Sequence, residues 1–306
     1  MCKILSIGAW GLFDHLYMMA TYPKEGETIM LDMCEDEFSK VYYGDCSVNI
    51  AYIISSLGCS SALATIVGND FISSGYADYL RKNNVDISNV QIINEKSSGH
   101  NLIFFDKKGD GFCCSLLGAA KQQDSYQVAE EAIQNSSIVV ISEMFSSYTL
   151  NAIRYAREQG KTTVINGMVG TAKDKAIDFL SYSDILFINE SEYMELLSVL
   201  QVSDCQEILR YGIKKIFLTK GKRGGTVLTK TSSEDFSIIP SKAVVDTTGA
   251  GDSFVAGTIA AIVRGFSDIE AARIGATVSS FIVEKWGCQT NAPTWNQVIE
   301  RYNEFN

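Results

Sequence analysis

The sequence predicts an α/β fold with a mostly parallel central sheet covered by helices on both faces. The first observation is a set of short, almost continuously apolar runs, which are typical of buried parallel strands. The second is that amphipathic stretches separate these runs, and this alternation indicates right-handed strand–helix–strand crossovers. The apolar runs lie at residues 4–7, 62–67, 138–141, 162–165, 185–188 and 215–219.

The helical stretches end at residues that commonly stop a helix. Residues 47–57 carry apolar side chains at helical spacing and precede Gly58, and residues 150–159 precede Gly160. Glycine is favoured just past a helix C-terminus because it adopts the left-handed conformation there without strain. The last third of the chain predicts further helices at 251–264, 268–285 and 295–302.

Two regions interrupt this alternation. Residues 98–117 hold two apolar runs around a Lys-Lys-Gly-Asp-Gly turn, which predicts a β-hairpin. Residues 27–43 have mixed polarity and strand-like character without a helical pattern. We expect lid segments at about 10–44 and 98–117, which either form a small β-rich lid over a ligand cleft or extend the main sheet. No repeat or linker divides the chain, so residues 1–306 are expected to form a single domain.

Composition excludes several functional classes. The 306 residues are 46% hydrophobic with a formal net charge of -10, which argues against nucleic acid or an anionic membrane as the main partner. No signal-peptide pattern or long apolar run is present, and the eight cysteines form no C-x-x-C pair, so we expect a cytoplasmic protein with reduced thiols. His15 and His100 lack any motif for a zinc site or a Ser-His-Asp centre.

The most informative stretch is D-T-T-G-A-G-D-S-F at residues 246–254, between a strand-like run at 243–245 and a helix. Glycines at a helix start leave backbone N–H groups free to converge on an anion, and the helix dipole also favours negative charge there. Asp252 at this positive end is expected to stay ionised and to accept a proton from a hydroxyl nucleophile. Alternatively, Asp252 only caps the helix, but the complete string in this context favours a catalytic role.

This stretch resembles the C-terminal signature D-T-x-G-A-G-D-x-F of the ribokinase family, also called the PfkB family, of sugar and nucleoside kinases. Every fixed position of the signature matches. The resemblance implies a ribokinase-like fold in which Asp252 is the catalytic base. It also implies that the backbone amides of Gly249, Ala250 and Gly251 form an anion hole.

A second stretch, residues 44–58, is similar to the family's N-terminal signature G-G-x-x-x-N-x-A followed by L-G. The resemblance implies that Gly44 and Asn49 contact substrate hydroxyls. Asp45 replaces the usual second glycine, where a carboxylate would add a hydrogen-bond acceptor or crowd the pocket.

Two further carboxylates resemble substrate-binding residues of the family. Asp14 follows the first strand and resembles the aspartate that binds two sugar hydroxyls. A carboxylate suits a polyol because it accepts two hydroxyl protons at once. Glu143 follows the strand at 138–141, where ribokinase-type members place a glutamate near the sugar and the metal.

The nucleotide side of the site is implied by three short motifs. Asn189 and Glu192 resemble the N-x-x-E motif that organises Mg²⁺ and phosphate through water. Thr219 and Gly221 resemble the strand-end T-x-G of the nucleotide site, to which Thr248 also belongs. Asp246 and the Thr248 carbonyl resemble part of a monovalent-cation site completed by carbonyls of residues 286–289, which implies activation by K⁺.

Together the motifs predict an ATP- and Mg²⁺-dependent phosphotransferase that acts in line on the primary hydroxyl of a sugar. No Walker P-loop or dinucleotide fingerprint is present. The family often dimerises through its lids, so the resemblance also implies a homodimer.

Two alternatives stay open at this point. A nucleoside acceptor would also need a base-stacking surface, but scattered aromatic residues more often serve packing, so the sequence favours a free sugar. A non-catalytic sugar or nucleotide sensor on the same fold is an alternative of another class. The candidate stacking residues are Trp10, Phe13, Tyr42, Tyr43 and Phe104.

Overall fold

The computed structural model describes residues 3–107 and 111–305. Within them, nine strands form the central sheet in the order β15-β14-β13-β12-β11-β10-β1-β4-β6. The seven neighbouring strands β13, β12, β11, β10, β1, β4 and β6 are parallel to one another, whereas β14 and β15 add an antiparallel edge. The predicted mostly parallel α/β sheet is therefore confirmed. The strands are β1 (Lys3–Ile7), β4 (Ser60–Ala64), β6 (Val85–Asp86), β10 (Ile138–Ser142), β11 (Thr162–Asn166), β12 (Ile185–Asn189), β13 (Lys215–Thr219), β14 (Gly225–Thr229) and β15 (Ser233–Phe236).

Helices cover both faces of this sheet, as the continuously apolar strands require. In β1, Ile4 packs into one hydrophobic cluster while Leu5 and Ile7 pack into another on the opposite face. None of the helices within the described ranges has the length and apolarity that a bilayer crossing needs. The α-helices are α1 (Glu35–Phe38), α2 (Cys46–Ser56), α3 (Asp70–Ser73), α4 (Tyr76–Lys82), α5 (Glu130–Gln134), α6 (Ser147–Glu158), α7 (Ala176–Ser181), α8 (Glu190–Leu200), α9 (Cys205–Ile208), α10 (Ala250–Val263), α11 (Asp268–Ile282) and α12 (Trp295–Glu304).

The main departures from the predicted elements lie at their ends. The apolar run at 62–67 is divided between β4 and a short strand β5 (Ile66–Gly68), which pairs with β7 (Gln91–Ile93) outside the central sheet. The predicted strand at 243–245 is wrong. Val244 is 57% exposed, and the Val245 N–H donates to the Val283 carbonyl near the end of α11, so no neighbouring strand pairs with this run.

A second, four-stranded sheet, which we call the lid sheet, contains the strands β3-β2-β8-β9 in that order. The predicted hairpin is present as antiparallel β8 and β9, although its turn falls partly on residues 108–110, outside the described residues. The strand-like prediction for 27–43 is wrong for most of its length, since the segment forms β3, the short α1 and a single antiparallel bridge between Leu31 and Met19. The lid sheet is separate from the central sheet, and its role as a lid over a substrate stays a prediction. Its strands are β2 (Gly11–Met18), β3 (Tyr42–Tyr43), β8 (Gly99–Phe105) and β9 (Gly111–Leu116).

Candidate active site

Asp252 lies in the first turn of α10 and is 6% exposed. Its carboxylate accepts hydrogen bonds from the Asn49 side-chain amide at 3.0 Å and from the Asn166 amide at 3.1 Å. Burial raises the pKa of Asp252, against the opposing effect of the Asn49, Cys46 and Asn166 donors. Desolvation is the largest effect, so the pKa of this carboxylate lies above its usual value despite its position at a helix start. That Asp252 is ionised at neutral pH stays a prediction.

The turn before α10 leaves two of the three predicted amides available. The Ala250 N–H donates to the Thr247 carbonyl at 3.2 Å, because the turn closes on itself there. Within the described ranges, no acceptor takes the N–H of Gly249 or Gly251, and a side chain added at Gly251 would meet only open space. The open space and the free amides are what an incoming anion requires.

Gly249 itself must be glycine. Its φ is 76°, and a Cβ there would lie 2.7 Å from the Cβ of Cys288. Both the left-handed backbone and the close contact exclude an ordinary side chain. The turn and the loop that carries Cys288 are therefore packed directly against each other.

Asp14 lies on β2 of the lid sheet and is 2% exposed. It accepts a hydrogen bond from the Asn101 amide at 2.8 Å and faces the Cys288 thiol at 3.7 Å. Burial raises the pKa of Asp14 to about 7, and the charges of Asp45 and Asp246 act in the same direction. With one amide and one distant thiol as hydrogen-bond donors, the Asp14 carboxylate can accept further hydrogen bonds.

Gly44 passes directly over Asp14. A Cβ at Gly44 would lie 2.3 Å from the Asp14 Oδ2 atom, so only glycine fits there. The carbonyl of Gly44 accepts a hydrogen bond from the Tyr76 hydroxyl at 3.0 Å. Gly44 and Asp14, which the sequence assigned to the substrate separately, are therefore neighbours.

Asn49 is bonded to protein at both ends of its amide. Besides donating to Asp252, it accepts a hydrogen bond from the Gln289 side chain at 2.8 Å, and Gln289 also donates to the Tyr76 hydroxyl at 2.6 Å. The predicted contact of Asn49 with a substrate hydroxyl stays a prediction. In the structure, the Asn49 amide orients the Asp252 carboxylate through this hydrogen bond.

Both carboxylate oxygens of Asp45 accept hydrogen bonds from the protein, so Asp45 neither crowds the pocket nor adds a free acceptor to it. It precedes α2 with φ 78°, and its Oδ1 accepts from the Ser47 N–H at 2.9 Å, the Ser47 hydroxyl at 2.5 Å and the Val48 N–H at 3.2 Å. Its Oδ2 accepts from the Trp10 N–H at 2.9 Å. Asp45 is thus a helix N-cap in a conformation that glycine would adopt more easily.

Glu143 follows β10 with φ 59°, in the left-handed region. Burial raises its pKa well above the usual range, and the Asp45 and Asp252 charges add to the effect. Its Oε2 atom is buried and has no hydrogen-bond partner among the described residues. The Cys46 thiol lies within hydrogen-bonding reach of both Glu143 and Asp252, so these two carboxyl groups lie close together.

On the nucleotide side, Asn189 and Glu192 form a capping box at the start of α8. The Asn189 Oδ1 accepts the Glu192 N–H at 2.9 Å, and the Glu192 carboxylate accepts the Asn189 N–H at 2.9 Å. Burial raises the pKa of Glu192, and the Asp252 charge adds to it. Thr219 ends β13 directly beside Asn189, and the short turn after it begins at Gly221, which faces open space.

The residues present are compatible with Mg²⁺ held through water. No group of three His, Cys, Asp or Glu side chains within residues 3–107 and 111–305 could hold a metal directly. Mg²⁺ commonly takes one or two carboxylates and completes its shell with water and phosphate oxygens. Glu192 fits such an indirect role, because its carboxylate lies near Asp252 and is only partly used by the capping box.

Asp246 joins the two loops of the predicted monovalent-cation site. Its Oδ1 accepts from the Thr248 N–H at 2.9 Å and from the Thr248 hydroxyl at 2.6 Å, and its Oδ2 accepts from the Gly287 N–H at 2.9 Å. The carboxylate therefore holds residues 286–289 against the turn before α10.

Several side chains of the site were not predicted from the sequence, although residues 286–289 were expected to contribute carbonyl groups. These side chains belong to Cys46, Asn101, Asn166, Cys288 and Gln289. Asn166 could have been found, because it ends a parallel strand and ligands bind at the carboxyl edge of such sheets. Asn101 and Gln289 carry no local signal, since only the folded lid sheet and the loop after α11 bring them to the site.

Comparison with solved structures identifies the class of protein to which this chain belongs. The solved structure of the nucleoside kinase of Methanocaldococcus jannaschii, an archaeal member of the ribokinase family, matches 99% of each chain with a TM-score of 0.86 and 29% identity. The Burkholderia thailandensis nucleoside kinase in complex with inosine also has a TM-score of 0.86, over 99% of this chain and 97% of that one, and its 18% identity shows the fold alone. The chain is thus an α/β kinase with the ribokinase fold.

The family follows from sequence matches. The family model "pfkB family carbohydrate kinase" matches residues 29–295. The chain is 30% identical to the M. jannaschii nucleoside kinase over 98% of this chain and 96% of that protein. It is 27% identical to the ribokinase of Staphylococcus aureus over 97% and 98% of the two chains. The chain belongs to the PfkB family of carbohydrate kinases, so the predicted class of enzyme is confirmed.

Proposed function

We propose that this kinase transfers the γ-phosphoryl group of ATP to the primary hydroxyl of a sugar, with Asp252 as the base. The observation that carries the proposal is the buried Asp252 carboxylate, which two side-chain amides hold beside the unoccupied N–H groups of Gly249 and Gly251. A general base must lie within reach of the proton it removes, and a nearby anion site must stabilise the charge that develops.

Each residue of the site has a part in the proposed reaction. Asp252 takes the proton of the acceptor hydroxyl while Asn49 and Asn166 fix its orientation. The amides of Gly249 and Gly251 stabilise negative charge on the transferring group. Bound Mg²⁺ would neutralise phosphate charge, with Asn189 and Glu192 holding its water ligands.

The remaining predicted residues serve binding. Asp14 accepts hydrogen bonds from two hydroxyls of the substrate, and Gly44 lets the backbone approach the Asp14 carboxylate closely. Glu143 lies close to Asp252 and contributes a further carboxyl group to this part of the site. Thr219, Gly221 and Thr248 line the nucleotide site, and Asp246 supports a K⁺ site by holding the loop at 286–289.

The lid sheet reaches the nucleotide side as well. A cavity of about 420 Å³ is lined by Met18, Asp106 and Lys107 from the lid sheet and its turn, and by residues opposite them. Two lysines in this lining supply positive charge where phosphate groups would lie. The opposite residues are Lys222, Val244, Val245 and Thr247.

A nucleoside is the second candidate acceptor. Two of the relatives, at 30% and 26% identity, are nucleoside kinases. The aromatic residues divide clearly, because Phe13 and Tyr43 pack with Tyr76 in the core, whereas Trp10 does not belong to the core. Tyr42 also lies outside the core, but its ring packs against Gly287 and its hydroxyl donates to Glu37 at 2.7 Å. Trp10 is therefore the partly buried candidate that is left for a base.

A substrate panel tests the proposal. Pentoses, hexoses and nucleosides are incubated with ATP and Mg²⁺, with and without K⁺, and ADP release is measured. We expect turnover with at least one of these acceptors and a higher rate with K⁺. ATP and sugar binding without any ADP release would contradict the proposal and support a sensor.

We also propose a homodimer and a cytoplasmic location. The outer strand of the lid sheet is exposed and carries apolar side chains, with Leu116 at 66% and Phe112 at 47% exposure, which supports pairing with a second copy. Sedimentation showing only monomer would reject the dimer. Seven cysteines within the described residues are free thiols, as is usual in a reducing compartment.

A further inference from the structure

Trp10 differs from the other candidate stacking residues. It is partly buried, yet within the described part of the chain it belongs to neither hydrophobic cluster and makes no contact with another aromatic ring. Phe13 and Tyr43 are occupied with Tyr76, and Phe104 stacks on Tyr17 and Phe112. The ring of Tyr42 packs against Gly287, and its hydroxyl donates to Glu37 at 2.7 Å. A large apolar ring without such partners is well suited to pack against a ligand.

Hydrogen bonds fix Trp10 at both ends. Its backbone N–H donates to Asp45 at 2.9 Å, and its indole Nε1–H donates to the Ser115 hydroxyl on β9 at 2.8 Å. Ser115 in turn donates to the Asn101 Oδ1 at 2.7 Å, and Asn101 donates to Asp14 at 2.8 Å. The indole ring and the acceptor-binding carboxylate are therefore held by one continuous chain of hydrogen bonds.

This chain places Trp10 at a defined part of the acceptor site. If Asp14 binds two neighbouring hydroxyls of a ribose, the anomeric carbon is bonded to one of the two hydroxyl-bearing carbons. A substituent on that carbon then emerges beside Asp14, away from the primary hydroxyl at Asp252. Trp10 is the aromatic residue that the hydrogen bonds tie to this side.

We propose that the indole ring of Trp10 packs against the planar base of a nucleoside and determines the preference for nucleosides over free pentoses. This inference rests on the nucleoside form of the proposed function. Stacking of a base on an aromatic side chain is sequence-tolerant, because every base has a π face. The site would then accept several bases while discriminating against sugars that carry none.

Kinetics of Trp10→Ala and Trp10→Phe with inosine and with ribose test the inference. We expect Trp10→Ala to lower kcat/KM for inosine about 10- to 100-fold, mainly through KM, and to change the value for ribose less than about twofold. Trp10→Phe should keep most of the inosine activity. Trp295→Phe on α12, which packs with Phe266 and Arg264, is the matched tryptophan control and should leave both values unchanged.

Other outcomes would overturn the inference in distinguishable ways. Equal losses for inosine and ribose in Trp10→Ala would mean that Trp10 only supports the lid sheet, and no loss would mean that it has no role. A wild-type enzyme active on ribose but on no nucleoside would reject the nucleoside acceptor and this inference with it. A wild-type enzyme inactive on both, and on the rest of the panel, would reject the proposed function itself.

A binding measurement independent of turnover complements the kinetics. The chain has three tryptophans, so the double variant Trp286→Phe, Trp295→Phe reports Trp10 fluorescence alone. Saturating inosine without ATP should change the emission, and ribose should not. Unchanged emission at inosine concentrations that saturate turnover of the same variant would contradict the inference.

Discussion

The two carboxylates at opposite ends of the acceptor site, Asp14 on the lid sheet and Asp252 on α10, are buried to a similar degree but are held differently. Asp252 accepts hydrogen bonds from two side-chain amides, at 3.0 and 3.1 Å. Asp14 has one amide at 2.8 Å and a thiol at 3.7 Å. Burial raises the pKa of both, and for Asp14 it reaches about 7.

The difference separates two tasks. The base must keep one orientation before the acceptor arrives, and its amides provide that. The acceptor-binding carboxylate is left with unused acceptor capacity, which two substrate hydroxyls can fill. The protein therefore supplies the hydrogen-bond donors to Asp252 itself, whereas Asp14 receives its remaining donors from the bound acceptor.

After replacement of the base itself, the largest effect is expected for Asp14→Asn. We expect a fall of about 100-fold in kcat/KM for the acceptor, because hydrogen bonds to a charged group are worth about 1.5–3 kcal/mol each. The pKa of Asp14 lies near 7, so the carboxylate is neutral below that pH, and wild-type kcat/KM should rise as pH increases through about 7. Initial rates at limiting acceptor across pH check both expectations.

Asp78→Asn, which alters an exposed carboxylate paired with Arg81 on α4, is the control and should behave as wild type. A wild-type pH profile retained in Asp14→Asn would contradict the role of Asp14 and remove the contrast with Asp252.

A smaller effect is expected for Asn166→Ala. Losing one donor raises the pKa of Asp252 further, so the base is ionised only at higher pH. We expect kcat to fall by up to about 10-fold, with the greatest loss at low pH, and the acid limb of the pH–rate profile to move to higher pH. Asn49→Ala should shift the limb in the same direction. A uniform loss at every pH would mean that Asn166 acts on packing alone.

The smallest effect concerns Asp45, which caps α2 at φ 78°. Replacement by alanine loses the cap and keeps the strained conformation, whereas glycine loses the cap and relieves the strain. Thermal unfolding should show Asp45→Gly to be more stable than Asp45→Ala by about 1 kcal/mol. Equal stability of the two variants would show that the backbone at this position is not strained.

The sequence predicts the site well where the information is local. The string at 246–254 places Asp252 at a helix start, and this holds in the structure even though the strand expected before it does not form. The N-cap role of Asp45 could also have been predicted, since aspartate is a preferred cap. Because Asp45 occupies a glycine position of the family signature, the sequence instead suggested an effect on the substrate pocket.

The rest depends on contacts between distant parts of the chain. Asn101 meets Asp14 across 87 residues, and Gln289 meets Asn49 across 240. Such pairs form only after the lid sheet and the loop behind α11 pack on the central sheet. The pKa shifts have the same origin, because desolvation depends on the complete fold and outweighs the local effect of a helix start.

The role of Asp252 as the base is tested by single-turnover phosphoryl transfer in Asp252→Asn. With ATP and acceptor both saturating, we expect a rate lower than wild type by about 10²- to 10⁴-fold, with ATP affinity nearly unchanged. A transfer rate close to that of wild type would contradict the assignment of Asp252 as the base.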